Sequence, residues 1–139
     1  MVHATRKSRF CAAHRYYDDS LSPEENRTLF GKCVNTHGHN YELAVTVRGP
    51  VDERTGMVVN LSDLDAVVRR RVLEVLDHKN LDVDIDEFRD IIPTTEMIAR
   101  FIWRRLDGRI PGCTLHRVRL YEDEDLFADY YGEEERTSS

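Results

Sequence analysis

The chain has 139 residues, 40% hydrophobic and 33% charged, with a formal net charge of −6. Such a length fits one globular domain with a real core, and the acidic balance argues against a nucleic-acid surface. No apolar run is long enough to cross a membrane, and the N-terminus lacks the basic-then-apolar pattern of a secretory signal. The three cysteines, Cys11, Cys33 and Cys113, are odd in number and widely spaced. They do not read as a disulfide framework and suit a reducing compartment, so the expected location is the cytoplasm. One domain is expected over residues 1–132, with residues 133–139 as a disordered polar tail.

A first strand is expected over Ala4 to Ala13, with Phe10, Ala12 and His14 sharing a face. Asp18 to Gly31 is a polar connection with room for a helical turn at Pro23. Tyr41 to Val47 alternates cleanly, placing Tyr41, Leu43, Val45 and Val47 on one side. Gly49-Pro50 ends that strand, and Asp52 to Gly56 reads as a turn into a short strand, Met57 to Asn60. Ser62 is the expected N-cap of a helix whose apolar stripe is Leu64, Val67, Val68, Val72, Val75 and Leu76. A second helix opens at Thr94 or Thr95, carries Ile98, Phe101, Ile102 and Leu106 inward, and stops at Gly108. Leu115 to Glu122 and Asp125 to Tyr131 close the chain as a hairpin. This order predicts an α+β domain, two helices covering one face of an antiparallel sheet.

The segment Cys33-Val-Asn-Thr-His37-Gly-His39-Asn-Tyr41 carries the most chemistry. In an extended chain His37 and His39 point the same way, and Gly38 between them leaves the approach open. Imidazole suits zinc, and a catalytic zinc takes three protein ligands with an open fourth position. His14, closing the first strand, is the third candidate; imidazoles do not make a calcium or magnesium cage. Each histidine alone reads as a surface or core residue, whereas the three together read as Zn2+ ligands. Cys33 lies in a polar loop beside them, where positive charge favours the thiolate, and is the candidate catalytic base or nucleophile. Cys11, of opposite parity to Phe10 and His14, and Cys113, after Pro111-Gly112, read as structural.

Asp77-His78 closes the first helix. Histidine there suits the helix dipole, but aspartate opposes it and implies a partner; an Asp–His pair also holds an imidazole as a proton shuttle. Glu122 shares parity with His116, Val118 and Leu120. A carboxylate ending an apolar face is costly unless it binds something. A salt bridge is one use; the amino-imine edge of a guanine-like or pterin ring is another. Thr94-Thr95-Glu96 reads, from the residues alone, as a helix cap with acid in the first turn. Arg69-Arg70-Arg71 and Arg104-Arg105 read as solvated faces.

In order along the chain, Phe10-Cys-Ala-Ala-His14, Leu21-Ser-Pro-Glu-Glu-Asn26, Phe30-Gly-Lys-Cys33, His37-Gly-His-Asn-Tyr41, Gly56 to Leu64, Leu76-Asp-His-Lys-Asn-Leu81, Thr94-Thr-Glu96 with Trp103, and Tyr121-Glu122 resemble the 6-pyruvoyltetrahydropterin synthase family, which includes the bacterial 6-carboxytetrahydropterin synthases. The match runs from about Arg9 to Gly132. The resemblance implies the tunnelling fold: a four-stranded antiparallel sheet with two helices on one face, closed into a barrel by trimerisation, two trimers stacking as a homohexamer with active sites between subunits. It implies 7,8-dihydroneopterin triphosphate as substrate and zinc on His14, His37 and His39. It implies Cys33 as proton acceptor, Asp77 and His78 as relay, and Glu122, with Thr95 and Glu96 nearby, as the pterin anchor.

Two products are compatible with it. The segments outside the cysteine loop resemble the pyruvoyl-forming enzymes of animals, and 6-pyruvoyltetrahydropterin is the expected product. The three residues between Cys33 and His37 match the carboxy-forming enzymes of the queuosine pathway, which release acetaldehyde. Asp123 stands where the family more often has threonine. The competing reading is a non-catalytic pterin-binding module with a closed zinc site and Cys33 as fourth ligand.

Overall fold

A computed structural model describes residues 1–133. Its centre is a pair of long antiparallel strands, β1 (Val2–His14) and β2 (His37–Gly49), in register from Val2↔Gly49 to His14↔His37. β4 (Thr114–Tyr121) pairs with β2, and β5 (Phe127–Tyr130) with β4, all antiparallel. A fifth, two-residue strand, β3 (Lys79–Asn80), runs parallel to β1 beside Ala12 and Ala13 and was not expected from the sequence. The sheet order is β3-β1-β2-β4-β5.

Alternation sets the faces. Phe10, Ala12 and His14 of β1, and Tyr41, Leu43, Val45 and Val47 of β2, are buried against the helices. On β4 the phase slips once. Thr46 pairs with Arg117 but Val47 with Leu115, a bulge that leaves His116 over. Leu115, Val118 and Leu120 therefore face the core, while His116 turns to the open face and packs tilted against His3, ring centroids 4.4 Å apart. The parity expected for His116 is corrected by that extra residue; beyond the bulge, Val118 and Leu120 keep it.

The helices are α1 (Pro23–Phe30), α2 (Leu61–Val68), α3 (Glu74–Leu76), α4 (Leu81–Asp84) and α5 (Thr95–Leu106). α1 is a full helix, not a turn, because Ser22 and Glu25 cap it reciprocally at 3.1 Å each. Met57 to Asn60 forms no strand; it leads into α2, whose N-cap is Asn60 rather than Ser62. The Asn60 side chain accepts from the Ser62 N–H at 2.9 Å. A π-helical turn, Arg69–Leu73, joins α2 to α3. Leu64, Val68, Val72 and Leu76 recur every fourth residue, and an α-helix drifts about 40° at each such step. The wider π turn absorbs the drift, and all four stay at most 1% exposed.

The Arg71 carbonyl lies in that turn, and the Arg105 carbonyl in the last turn of α5. Arg105 donates to the Arg71 carbonyl at 2.9 Å, and Arg71 to the Arg105 carbonyl at 2.7 Å. These two arginines staple the helices together instead of merely facing solvent. Gly132 (φ +95°) lets the chain pass over Trp103, where a Cβ would lie 2.8 Å from the indole. Glu133, expected in the tail, pairs with Arg100 at 3.2 Å and accepts from the Tyr130 hydroxyl at 2.6 Å. The rest of the expected tail, residues 134–139, lies outside the described residues.

Candidate active site

The register of β1 on β2 builds the centre of the site. His14 faces His37, and Ala12 faces His39, so one end of a single strand pair carries all three imidazoles. One donor nitrogen from each ring lies within 4.8 Å of the others. Gly38 is not required for this approach, since a Cβ there would meet only the Ala12 carbonyl at 3.6 Å.

Backbone carbonyls fix the ring tautomers. His14 Nδ1 donates to the Pro93 carbonyl at 2.7 Å, and His37 Nδ1 to the Asn35 carbonyl at 2.8 Å. A carbonyl only accepts, so Nδ1 carries the proton in both rings and Nε2 keeps its lone pair. Nε2 of His14 and of His39 is buried without a hydrogen-bond partner. Burial holds the His14 pKa below the ordinary histidine value; the Pro93 carbonyl opposes this and the neighbouring imidazoles add to it. A neutral imidazole is the form that binds a metal. These features fit a zinc site.

Glu122 stands over the triad. It follows β4, and its N–H donates to the Leu126 carbonyl at 3.0 Å to close the hairpin. Its Oε1 lies 3.3 Å from His39 Nε2 and 3.6 Å from His14 Nε2. The approach is close, but neither Nε2 is hydrogen-bonded. Asp123, at the position where threonine is commoner, shapes the turn by accepting from the N–H groups of Asp125 and Leu126 at 2.8 and 2.9 Å. A hollow of about 510 Å³ opens here, bordered by His39, Asn40, Tyr121 and Glu122, a size that suits a small ligand.

The start of α5 forms the adjoining wall. Thr94 caps it, accepting from the Met97 N–H at 3.2 Å. Thr95 is 2% exposed, and its hydroxyl has no partner. Tyr16, which the motifs did not single out, packs edge-on against His14 at 5.2 Å and against Phe30 at 6.0 Å. Burial, then the charges of Glu122, Glu96 and Cys33, push its hydroxyl up to about 12. Tyr16 has one legible signal: it lies two residues beyond His14, in the same phase of an extended chain. Cys33 sits on a single 3-10 turn, Gly31–Val34, and its carbonyl accepts from the Tyr16 N–H at 2.8 Å.

Asp77 and His78 are elsewhere. They lie where α3 ends, against the β3 edge of β1. Asp77 Oδ1 accepts from the Cys11 N–H at 2.9 Å, and the His78 N–H donates to the Cys11 carbonyl at 2.7 Å. His78 Nδ1 is 3.0 Å from Asp77 Oδ2. The Cys11 N–H, against some desolvation and with help from His78, holds Asp77 below the ordinary carboxylate range. The partner implied for this aspartate is thus the Cys11 backbone N–H. His78 takes φ +62°, an uncommon conformation for a side chain. Donor atoms of Cys11, Asp77 and His78 lie within 4.8 Å of one another; among the described residues Cys33 does not join them.

The family model described as 6-pyruvoyl tetrahydropterin synthase matches residues 3–133. A protein from Homo sapiens named 6-pyruvoyl tetrahydrobiopterin synthase is 46% identical over 131 residues, covering 93% of this chain and 90% of that one. The structure of the Caenorhabditis elegans 6-pyruvoyl tetrahydropterin synthase superposes with a TM-score of 0.90 at 36% identity, covering 95% of this chain and 96% of that chain. A Haemophilus influenzae protein named 6-carboxy-5,6,7,8-tetrahydropterin synthase is 30% identical over 122 residues, covering 72% of this chain and 84% of that one. The α+β architecture is the tunnelling fold of these neighbours. With its motifs in order, its sheet and helices superposed and its three imidazoles converging at one strand end, the chain belongs to the 6-pyruvoyl tetrahydropterin synthase family.

Proposed function

We propose that the chain is a zinc-dependent lyase that converts 7,8-dihydroneopterin triphosphate into 6-pyruvoyltetrahydropterin with loss of triphosphate. The observation that carries the reading is the imidazole triad, with the Nε2 atoms of His14 and His39 buried and unpartnered beside the Glu122 carboxylate. Buried polar atoms are ordinarily paired, and a cation fitted to three imidazoles accounts for their arrangement. The relatives named as pyruvoyl-forming synthases support the choice of product.

His14, His37 and His39 would hold Zn2+. Bound there, zinc would supply Lewis acidity toward the side-chain hydroxyls of the substrate, which acidifies the C–H groups beside them. The Cys33 thiolate takes the proton from the side-chain carbon. Asp77 orients His78, which passes protons to and from the reacting atoms. Glu122 accepts hydrogen bonds from the amino-imine edge of the pterin, with Glu96 and the unpartnered Thr95 hydroxyl alongside. Tautomerisation of the ring and departure of triphosphate complete the conversion.

One subunit holds the thiol and the relay apart. We read Asp77 and His78 of the partner subunit as serving Cys33, in a homohexamer of two stacked trimers. On its outer side β1 is paired only at Ala12 and Ala13, which leaves a long open edge for another sheet. The three free cysteines favour the cytoplasm.

The test is direct: incubate the zinc-loaded protein with 7,8-dihydroneopterin triphosphate and identify the products by mass. The expected result is 6-pyruvoyltetrahydropterin and triphosphate. Stoichiometric acetaldehyde would make the chain a carboxy-forming enzyme, as the Cys33–His37 spacing would then be read. Pterin binding without turnover would leave a binding module.

A further inference from the structure

The cluster at the β3 edge of β1 contains more than a proton relay needs. It brings together a thiol, a carboxylate and an imidazole, the mixed donor set of a borderline-soft divalent ion. The backbone organises it. Asp77 Oδ1 is occupied by the Cys11 N–H, which leaves Oδ2 directed at His78. The bond from the His78 N–H to the Cys11 carbonyl, and the pairing of Ala12 with Lys79, fix the two segments against each other. The donors thus stand on a sheet edge rather than on a free loop. Cys11 and His78 also border a hollow of about 500 Å³, which leaves room for a water ligand. Lys79, exposed at its rim, also borders that hollow.

We propose that Cys11, Asp77 and His78 form a second site for zinc or a similar divalent ion, weaker than the imidazole triad, whose occupation takes Asp77 and His78 out of the proton relay. The inhibitory clause rests on the relay reading given above; the metal site itself does not. Excess zinc then acts as an inhibitor of an enzyme that needs zinc, and Cys11, which has no part in the proposed catalysis, supplies the sensitivity.

Cobalt(II) tests the site, because a thiolate ligand gives it a charge-transfer absorption that imidazoles do not. The zinc-loaded protein is titrated with cobalt(II) and bound metal is counted by dialysis. Wild type and Cys33→Ala are expected to take up a second equivalent with the thiolate band, and Cys11→Ser to lose the band. Loss of one ligand should weaken this second binding at least about tenfold. No second equivalent, or a band that disappears with Cys33 and survives in Cys11→Ser, overturns the site. Turnover is then followed against free zinc. Wild type should be inhibited, and Cys11→Ser should need at least about tenfold more zinc for the same effect. A second ion bound through Cys11 with no loss of turnover overturns the inhibitory clause and with it the relay role of Asp77 and His78. The metal site itself would stand.

Discussion

The imidazole triad and the Cys11–Asp77–His78 cluster flank the same strand, but they are built differently. His14 is fully buried, with Nδ1 held by a carbonyl and Nε2 left free, and Tyr41 and Tyr16 pack around it. The other cluster is open: the His78 side chain is 79% exposed, on a left-handed backbone, beside a half-exposed carboxylate. The triad is rigid and complete within one chain. The second cluster holds its carboxylate by a single backbone N–H and leaves its imidazole facing outward. A group that must hold an ion tightly in fixed geometry is placed like His14; a group that meets a substrate or a neighbouring subunit, and can hold an ion only more weakly, is placed this way.

Substitutions can break or sharpen that contrast, and the largest effect belongs to the triad. His37→Ala should lose most of the bound zinc and nearly all turnover, measured by metal analysis and product formation. Full retention of zinc at the same site would break the contrast outright. Next is Cys33→Ala, which should keep zinc and the oligomer but lower turnover by about 10²–10⁴-fold, the usual contribution of a general base. Near-normal turnover would remove Cys33 from the chemistry. Glu122→Gln should act mainly on binding, weakening affinity for pterin analogues, because an amide accepts through one oxygen where a carboxylate accepts through two. Unchanged affinity would make Glu122 a partner of the imidazoles instead.

Asp77→Asn should have the smallest effect on the fold. The wild-type carboxylate has a depressed pKa, so its stabilising contribution is present above the ordinary 3.8 and is lost as pH falls through the depressed value. The stability difference between wild type and Asp77→Asn should therefore narrow in acid, as followed by thermal melts from neutral to acid pH. A difference that widens in acid would contradict the geometry at Cys11.

Much of the fold was legible because it is local. Alternation in Phe10 to His14 and in Tyr41 to Val47 places the core face, and helical spacing places Leu64 to Leu76 and Ile98 to Leu106. The triad was legible for the same reason, since His14, His37 and His39 lie at strand ends in matching phase. Features set by distant pairing were not legible. The Cys11–Asp77 bond joins residues 66 apart, and β3 exists only because Lys79 and Asn80 lie beside Ala12 and Ala13. The bulge at His116 is invisible to parity, which assumes that every residue is paired. The mutual staple of Arg71 and Arg105 depends on how the π turn sits against the last turn of α5, and arginine spacing does not report that.

The buried triad and the open relay are proposed as two halves of one centre, joined across a subunit interface. Co-expression of Cys33→Ala and His78→Ala subunits with different tags, followed by isolation of mixed oligomers, tests it most directly. Each variant alone should be nearly inactive. Random mixing should restore about a quarter of wild-type turnover, the chance that an intact Cys33 meets an intact His78 in a symmetric ring. Mixed oligomers no more active than either variant alone would contradict the account.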